Sequence, residues 1–235
     1  MRKILLFLAI VISAATVVFL LPQRIPENEE PMRAEKQIAV EPICQYPTLP
    51  TGCEATAATM VLRFLGIDIT AEQFAGEWLE CDNEFYRIGD RLHGPDPRRV
   101  FAGDPFSDSS FGCYAPVITR AVNQNTSGLT AKQQNDTTLA SLCKQFIDRD
   151  IPVIIWATTG MKQPTLGNSW QLADGGTFTW KTGEHCLVLI GYNEDYFFFC
   201  DPQSGSIVAY QKAISELRFA EMGSQAIIIT KTPLI

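Results

Sequence analysis

Histidine is scarce in this chain. Only His93 and His185 occur among 235 residues, so imidazole chemistry can rest on very few positions. Charge is also thin. Charged residues make up 19% of the chain, the net charge is −7, and no dense Lys/Arg patch occurs. Phosphate neutralisation supplies most nucleic-acid affinity, so a nucleic-acid partner is not expected. No C-x-x-C pair exists, which leaves zinc ribbons and thioredoxin-type sites without support. H-E-x-x-H, G-x-S-x-G and P-loop patterns are missing as well. No internal repeat or low-complexity tract interrupts the chain. What is present is 46% apolar residues, enough for a substantial core and one domain.

The N-terminus carries its own signal. Arg2 and Lys3 precede an uncharged run from Ile4 to Leu21, which Pro22 ends. A basic start before an apolar run is an export signal. Eighteen residues is the lower limit for a spanning helix. The best candidate for a small-residue cleavage pattern, Ser13-Ala14-Ala15, lies inside the run. Residues 1–21 are therefore expected to be a signal peptide or an N-terminal transmembrane anchor, with the rest of the chain outside the cytoplasm. Residues 22–37 mix prolines with charge and show no hydrophobic period, which reads as a tether. The folded domain is expected over residues 38–231.

Within that domain the helical signals come first. Ala55, Ala58, Leu62 and Leu65 recur at helical spacing after Gly52-Cys53, and Gly66 supplies the stop. Thr70 and Gln73 have capping-box spacing before a short second helix. Residues 82–112 are rich in Gly and Pro and read as a long irregular excursion. Further helices are expected at Tyr114–Asn123 and Thr138–Asp148. The last third is strand-like: Ile151–Thr158, His185–Ile190, Tyr196–Cys200, Ile207–Tyr210 and Ala226–Thr230, with a helix at Ala213–Met222. Helices first and strands afterwards predict an α+β fold, an N-terminal helical part packed on a C-terminal antiparallel β-sheet.

Cys53 is the candidate nucleophile. It opens a helix directly after a glycine. The helix start presents unpaired N–H groups and partial positive charge, which favour thiolate and can donate to an oxyanion. Glu54 is expected to face solvent and interact with the helix dipole. His185 is the candidate base, because a strand holds it, whereas His93 sits in the irregular excursion. The strands around Gly191–Asp195 suggest a hairpin centred near Asn193, in which paired residue numbers sum to about 386. That register sets His185 opposite Asp201, which would fix the imidazole tautomer. The same arithmetic sets Cys186 opposite Cys200, as either a cross-strand disulfide or two buried thiols.

Cys53, His185 and Asp201 follow the order of papain-like enzymes, with His185 132 residues after Cys53. Local sequence resembles the bacterial C39-like peptidases more narrowly. Gln45-Tyr46-Pro47-Thr48-Leu49-Pro50-Thr51-Gly52-Cys53-Glu54 resembles their nucleophile motif. Phe101–Pro105 and Phe111–Pro116 resemble their middle motifs. Glu184-His185, Gly191-Tyr192 and Asp201-Pro202 resemble the later ones. The resemblance implies a papain-like cysteine peptidase fold, a peptide or protein substrate, and Cys53, His185 and Asp201 as the site. It adds Gln45 as an oxyanion-hole donor. No metal or organic cofactor is required. Two alternatives use the same residues: an acyl transferase or non-peptide amidase, or a catalytically silent surface-binding module.

Overall fold

The computed structural model describes residues 35–232. The predicted signal or anchor and residues 22–34 of the predicted tether lie outside the described residues. Among the described residues, no helix is long and apolar enough to cross a membrane.

In chain order the domain begins with β1 (Lys36–Gln37), at the end of the stretch read as tether, and α1 (Cys53–Phe64). Next come α2 (Ala71–Gln73), continued by a π-helical turn at Phe74–Trp78, and four short strands: β2 (Cys81–Asp82), β3 (Tyr86–Ile88), β4 (Arg91–His93) and β5 (Phe101–Ala102). Then follow α3 (Ala115–Asn125), β6 (Leu129–Gln134), α4 (Leu139–Gln145), β7 (Val153–Thr158), β8 (Leu166–Gln171) and β9 (Thr177–Lys181). The chain finishes with β10 (Glu184–Tyr192), β11 (Tyr196–Asp201), β12 (Ser206–Gln211), α5 (Lys212–Glu221) and β13 (Ala226–Lys231).

The main sheet is antiparallel, in the order β12-β11-β10-β7-β13-β6, with β1 added to β10. Its centre is β7 and β10. Both are near-continuous apolar runs with buried residues on both faces, as strands covered on two sides require. Helix α1 packs across β10 and β7. Its first ten residues are all buried, and alanines and threonines let it lie close to the sheet. Thr56 and Thr59 satisfy their hydroxyls on the carbonyls of Gly52 and Ala55, at 2.9 and 2.8 Å. The predicted α+β architecture is observed.

Three details differ from the sequence-based expectation. The 82–112 excursion is not irregular throughout. β3 and β4 join β8 and β9 in a second, four-stranded sheet, while β2 pairs with β5. β6 lies where no strand was expected; it is a sheet edge, where polar side chains meet solvent. The β10–β11 register also differs. Val188 pairs with Cys200 and Leu189 with Phe199, a sum of 388, whereas beyond a bulge Tyr192 pairs with Phe197, a sum of 389.

That register removes the disulfide. Pairing ends at Val188–Cys200, so Cys186 has no direct partner on β11 and instead faces Trp156 of β7. Both thiols are free, and Cys200 Sγ lies 3.5 Å from the Val40 carbonyl oxygen. A cross-strand bridge needs directly opposed residues. At a sum of 388 the two cysteines are diagonal neighbours.

Candidate active site

Cys53 is the first residue of α1, with Gly52 as its N-cap and no side-chain cap. The approach to it is a tight turn. Gly52 N–H donates to the Leu49 carbonyl at 3.0 Å, and a Cβ on Gly52 would sit 2.9 Å from Leu49 Cβ. Glycine is what lets this turn close onto the helix. The turn is tied to the far strand as well, because Gln45 N–H donates to the Pro202 carbonyl at 2.8 Å. The loop before the nucleophile is thus bonded to the residue after Asp201.

His185 and Asp201 meet across the β10–β11 hairpin. His185 Nε2 and Asp201 Oδ1 are 2.7 Å apart, and both side chains are buried. They are diagonal rather than directly opposed, because the register is two residues from the expected sum. A shift of two keeps side chains on the same face, and diagonal neighbours remain within reach of a long side chain. Burial works to raise the Asp201 carboxyl. The hydrogen bond and charge of His185, with backbone N–H groups of Gln203 and Ser204, outweigh it and hold the group below its usual value. An ionised Asp201 accepts from Nε2–H and leaves Nδ1 with the lone pair.

Cys53, His185 and Gln45 line one cleft of about 210 Å³, together with Phe111, Trp180, Glu184 and Gln203. A larger cavity of about 370 Å³, lined by Asp82, Asp96, Asp174 and Arg99, contains none of the predicted site residues. His93 stacks on Tyr86 at 5.3 Å and takes no part in the cleft. Of the aromatics before His185, Trp156 and Trp170 are core, with indole N–H groups on the carbonyls of Cys113 and Pro95. Trp180 reaches the cleft and stacks against Tyr114.

Gln45 is buried. Its amide Nε2 donates to the carbonyls of Leu49 at 3.0 Å and Pro50 at 2.9 Å, and its Oε1 is buried with no partner. Both amide hydrogens are therefore engaged by the loop that leads into Cys53.

Glu54 corrects the expectation made for it. It does not face solvent: its relative exposure is 0%. Its Oε1 accepts from Cys113 N–H at 2.6 Å, and its Oε2 lies 3.3 Å from Cys53 Sγ. Glu184, one residue before His185, is close by. The sulfur of Cys53 and a carboxylate oxygen from each glutamate lie within 4.8 Å of one another. Sulfur plus two carboxylates is a donor set a divalent cation could use. Glu54, however, already spends one oxygen on Cys113 N–H and the other on the thiol, so the arrangement is complete as a hydrogen-bonded one. An isolated buried carboxylate costs several kcal/mol, and such groups keep their protons instead. Accordingly, burial raises Glu54 to about 7 against the N–H donors of Cys113 and Glu54. Burial and then the Glu54 charge raise Glu184 well above the usual range. Burial, followed by Glu54 and Glu184, pushes the Cys53 thiol up as well. The helix start that was expected to favour thiolate is opposed by these neighbours.

The family model of the Peptidase_C39 like family matches residues 37–227. The uncharacterized protein YvpB of Bacillus subtilis (strain 168) is 28% identical over 189 residues, 79% of this chain and 71% of that protein. A crystal structure of a C39-like peptidase from Bacillus anthracis superimposes with a TM-score of 0.73 at 25% identity, covering 85% of this chain and 100% of that one.

Proposed function

From the premise that the chain belongs to the Peptidase_C39 like family, we propose that it is a cysteine peptidase that cleaves a peptide amide bond through an acyl-thioester on Cys53. The observation that supports this most is the buried 2.7 Å contact between His185 and Asp201 beside the cleft that Cys53 opens into.

The roles follow from the atoms. Cys53 Sγ attacks the substrate carbonyl carbon while its proton passes to His185 Nδ1. Asp201 steadies the imidazolium that results. The oxyanion forms beside the helix start, where the Cys53 N–H has no intrahelical acceptor. Gln45 can add a second donor once one amide hydrogen leaves the Leu49 or Pro50 carbonyl. Collapse expels the amine, which takes the proton from His185. Water, deprotonated by His185, then attacks the thioester and frees Cys53. The basic and apolar start of the sequence supports placing this activity outside the cytoplasm, as an anchored or exported enzyme.

Comparison of protein termini from cells with wild type or Cys53→Ala tests this reading. New termini that depend on Cys53 are expected. Identical termini, with Cys53 no more reactive to an electrophile than a free thiol, would overturn it. Product that forms only when an amine acceptor is supplied would redirect it to acyl transfer.

A further inference from the structure

The mechanism above leaves the Glu54–Glu184 pair unused. The pair is nonetheless built with care. Glu54 Oε1 and Glu184 Oε2 converge on Gly112, where a Cβ would fall 2.5 Å from the first and 3.3 Å from the second. Gly112 has φ +141°, so its conformation also favours glycine. Glu184 Oε1 is buried with no hydrogen-bond partner. Among the described residues, no lysine or arginine forms an ion pair with either carboxyl. Two carboxylates this close, buried and without a cation, cannot both ionise.

The groups around the pair carry no compensating charge. Cys53 shares helix α1, Cys186 comes from β10, Cys113 and Tyr114 from the segment before α3, and Cys81 from β2. Burial first, and then these glutamates among other carboxylates, raise every one of these thiols and the phenol, so all are neutral near pH 7. His185, beside Glu184 on β10, is bonded to Asp201. Among these carboxyl, thiol and phenol groups, Glu54 is the one that exchanges a proton near neutral pH.

We propose that uptake and release of a proton by Glu54 governs when Cys53 becomes a nucleophile, with Glu54 as the positioning residue that holds or releases the thiol. The inference rests on the reading of Cys53 and His185 as the catalytic pair. With Glu54 ionised, its Oε2 accepts the thiol hydrogen and the negative charge disfavours thiolate. When Glu54 takes one proton from solvent, that acceptor is lost and the charge disappears. The S–H bond can then break toward His185 Nδ1, which gains the thiol proton, giving thiolate and imidazolium. The site's net charge rises by the one proton taken up. Increasing acidity through the neutral range thus favours the reactive ion pair.

The test is alkylation of Cys53 in the full chain by iodoacetamide between pH 4 and 9, with the labelled peptide quantified by mass spectrometry. Wild type is expected to show an inflection near pH 7, where Glu54 titrates. Glu54→Gln should label at least about tenfold faster at pH 8 and lose that inflection. Glu184→Gln, which removes a neighbour that is neutral while Glu54 titrates, should keep the inflection and move it by less than about one pH unit. A wild-type profile without an inflection between pH 6 and 8 would overturn the proposal. So would variants that slow labelling equally at every pH, the mark of a purely structural role. His185→Ala is the separate arm. Labelling unchanged by it would sink the thiol–imidazole reading, whereas the two glutamate variants report on the pair alone.

Discussion

Two sets of buried carboxyl groups belong to the same candidate site, and they behave in opposite ways. Asp201 has an imidazole within hydrogen-bond distance and is held ionised. Glu54 and Glu184 have each other and a thiol, and are held protonated into the neutral range. Burial pushes all three upward. The difference lies in the partner: a group that can become a cation reverses the effect of burial, and a second carboxyl reinforces it. One site so obtains a permanent anion to orient its base and a removable one beside its nucleophile.

Breaking the first half of the contrast should have the largest effect. Asp201→Ala removes both the acceptor and the charge, and peptide cleavage should fall by about 10³-fold or more. Asp201→Asn keeps an oxygen to accept Nε2–H and loses only the charge, so it should retain roughly ten times more activity than the alanine variant. Equal losses in kcat/KM would show that orientation contributes nothing beyond charge.

Gly112→Ala attacks the second half. A Cβ there overlaps the Glu54 carboxyl and sits at φ +141°, so unfolding free energy should fall by about 2–3 kcal/mol in urea titrations. A change under about 0.5 kcal/mol would mean that the pair does not need to meet at that point.

Smaller still is the pH dependence of stability. Glu54 has a raised value in the fold, so its contribution is fully present below the ordinary carboxylate value of 4.5. It is lost as pH rises through about 7. Asp201 has the opposite sign: its contribution is present above the ordinary carboxylate value and lost as pH falls through its lowered one. Urea unfolding of Glu54→Gln should therefore show a shallower decline between pH 5 and 7 than wild type, the remainder coming from Glu184, while Asp201→Asn should lack only a decline at lower pH. The smallest expected effect is that of reductant. All the described cysteines are free, so dithiothreitol should move the melting temperature by less than about 1 °C, where a bridge would be worth about 2–4 kcal/mol.

Much of this was legible in the sequence because it depends on local pattern. The start of α1 at Cys53, the capping box at Thr70 and Gln73, and the strands carrying His185 and Asp201 are all written in residue spacing. β3, β4, β8 and β9 were not, since they are short or polar, and the two hairpins they form join only through a β4–β8 contact nearly eighty residues apart. Glu54 is the instructive miss. Its neighbours gave a usable signal: Ala55 to Leu62 contain no charged residue, so the helix has no solvent face for Glu54 to occupy. Its partner Glu184 could not be inferred, because only the packing of α1 on β10 brings them together.

The bulge in β10 has a consequence for strand phase. Strand side chains alternate with a period of two, so a hairpin behaves like a two-beat rhythm. Counted outward from the turn at a sum of 389, His185 would share a face with Cys200, not with Asp201. The extra residue between Leu189 and Gly191 adds the missing beat and returns the two to step. Ile38 N–H holds the carbonyl of that residue, Ile190, at 2.8 Å. Drawing Ile190 into regular pairing with β11, with the pairing nearer the turn kept, would therefore put His185 and Asp201 on opposite faces of the sheet.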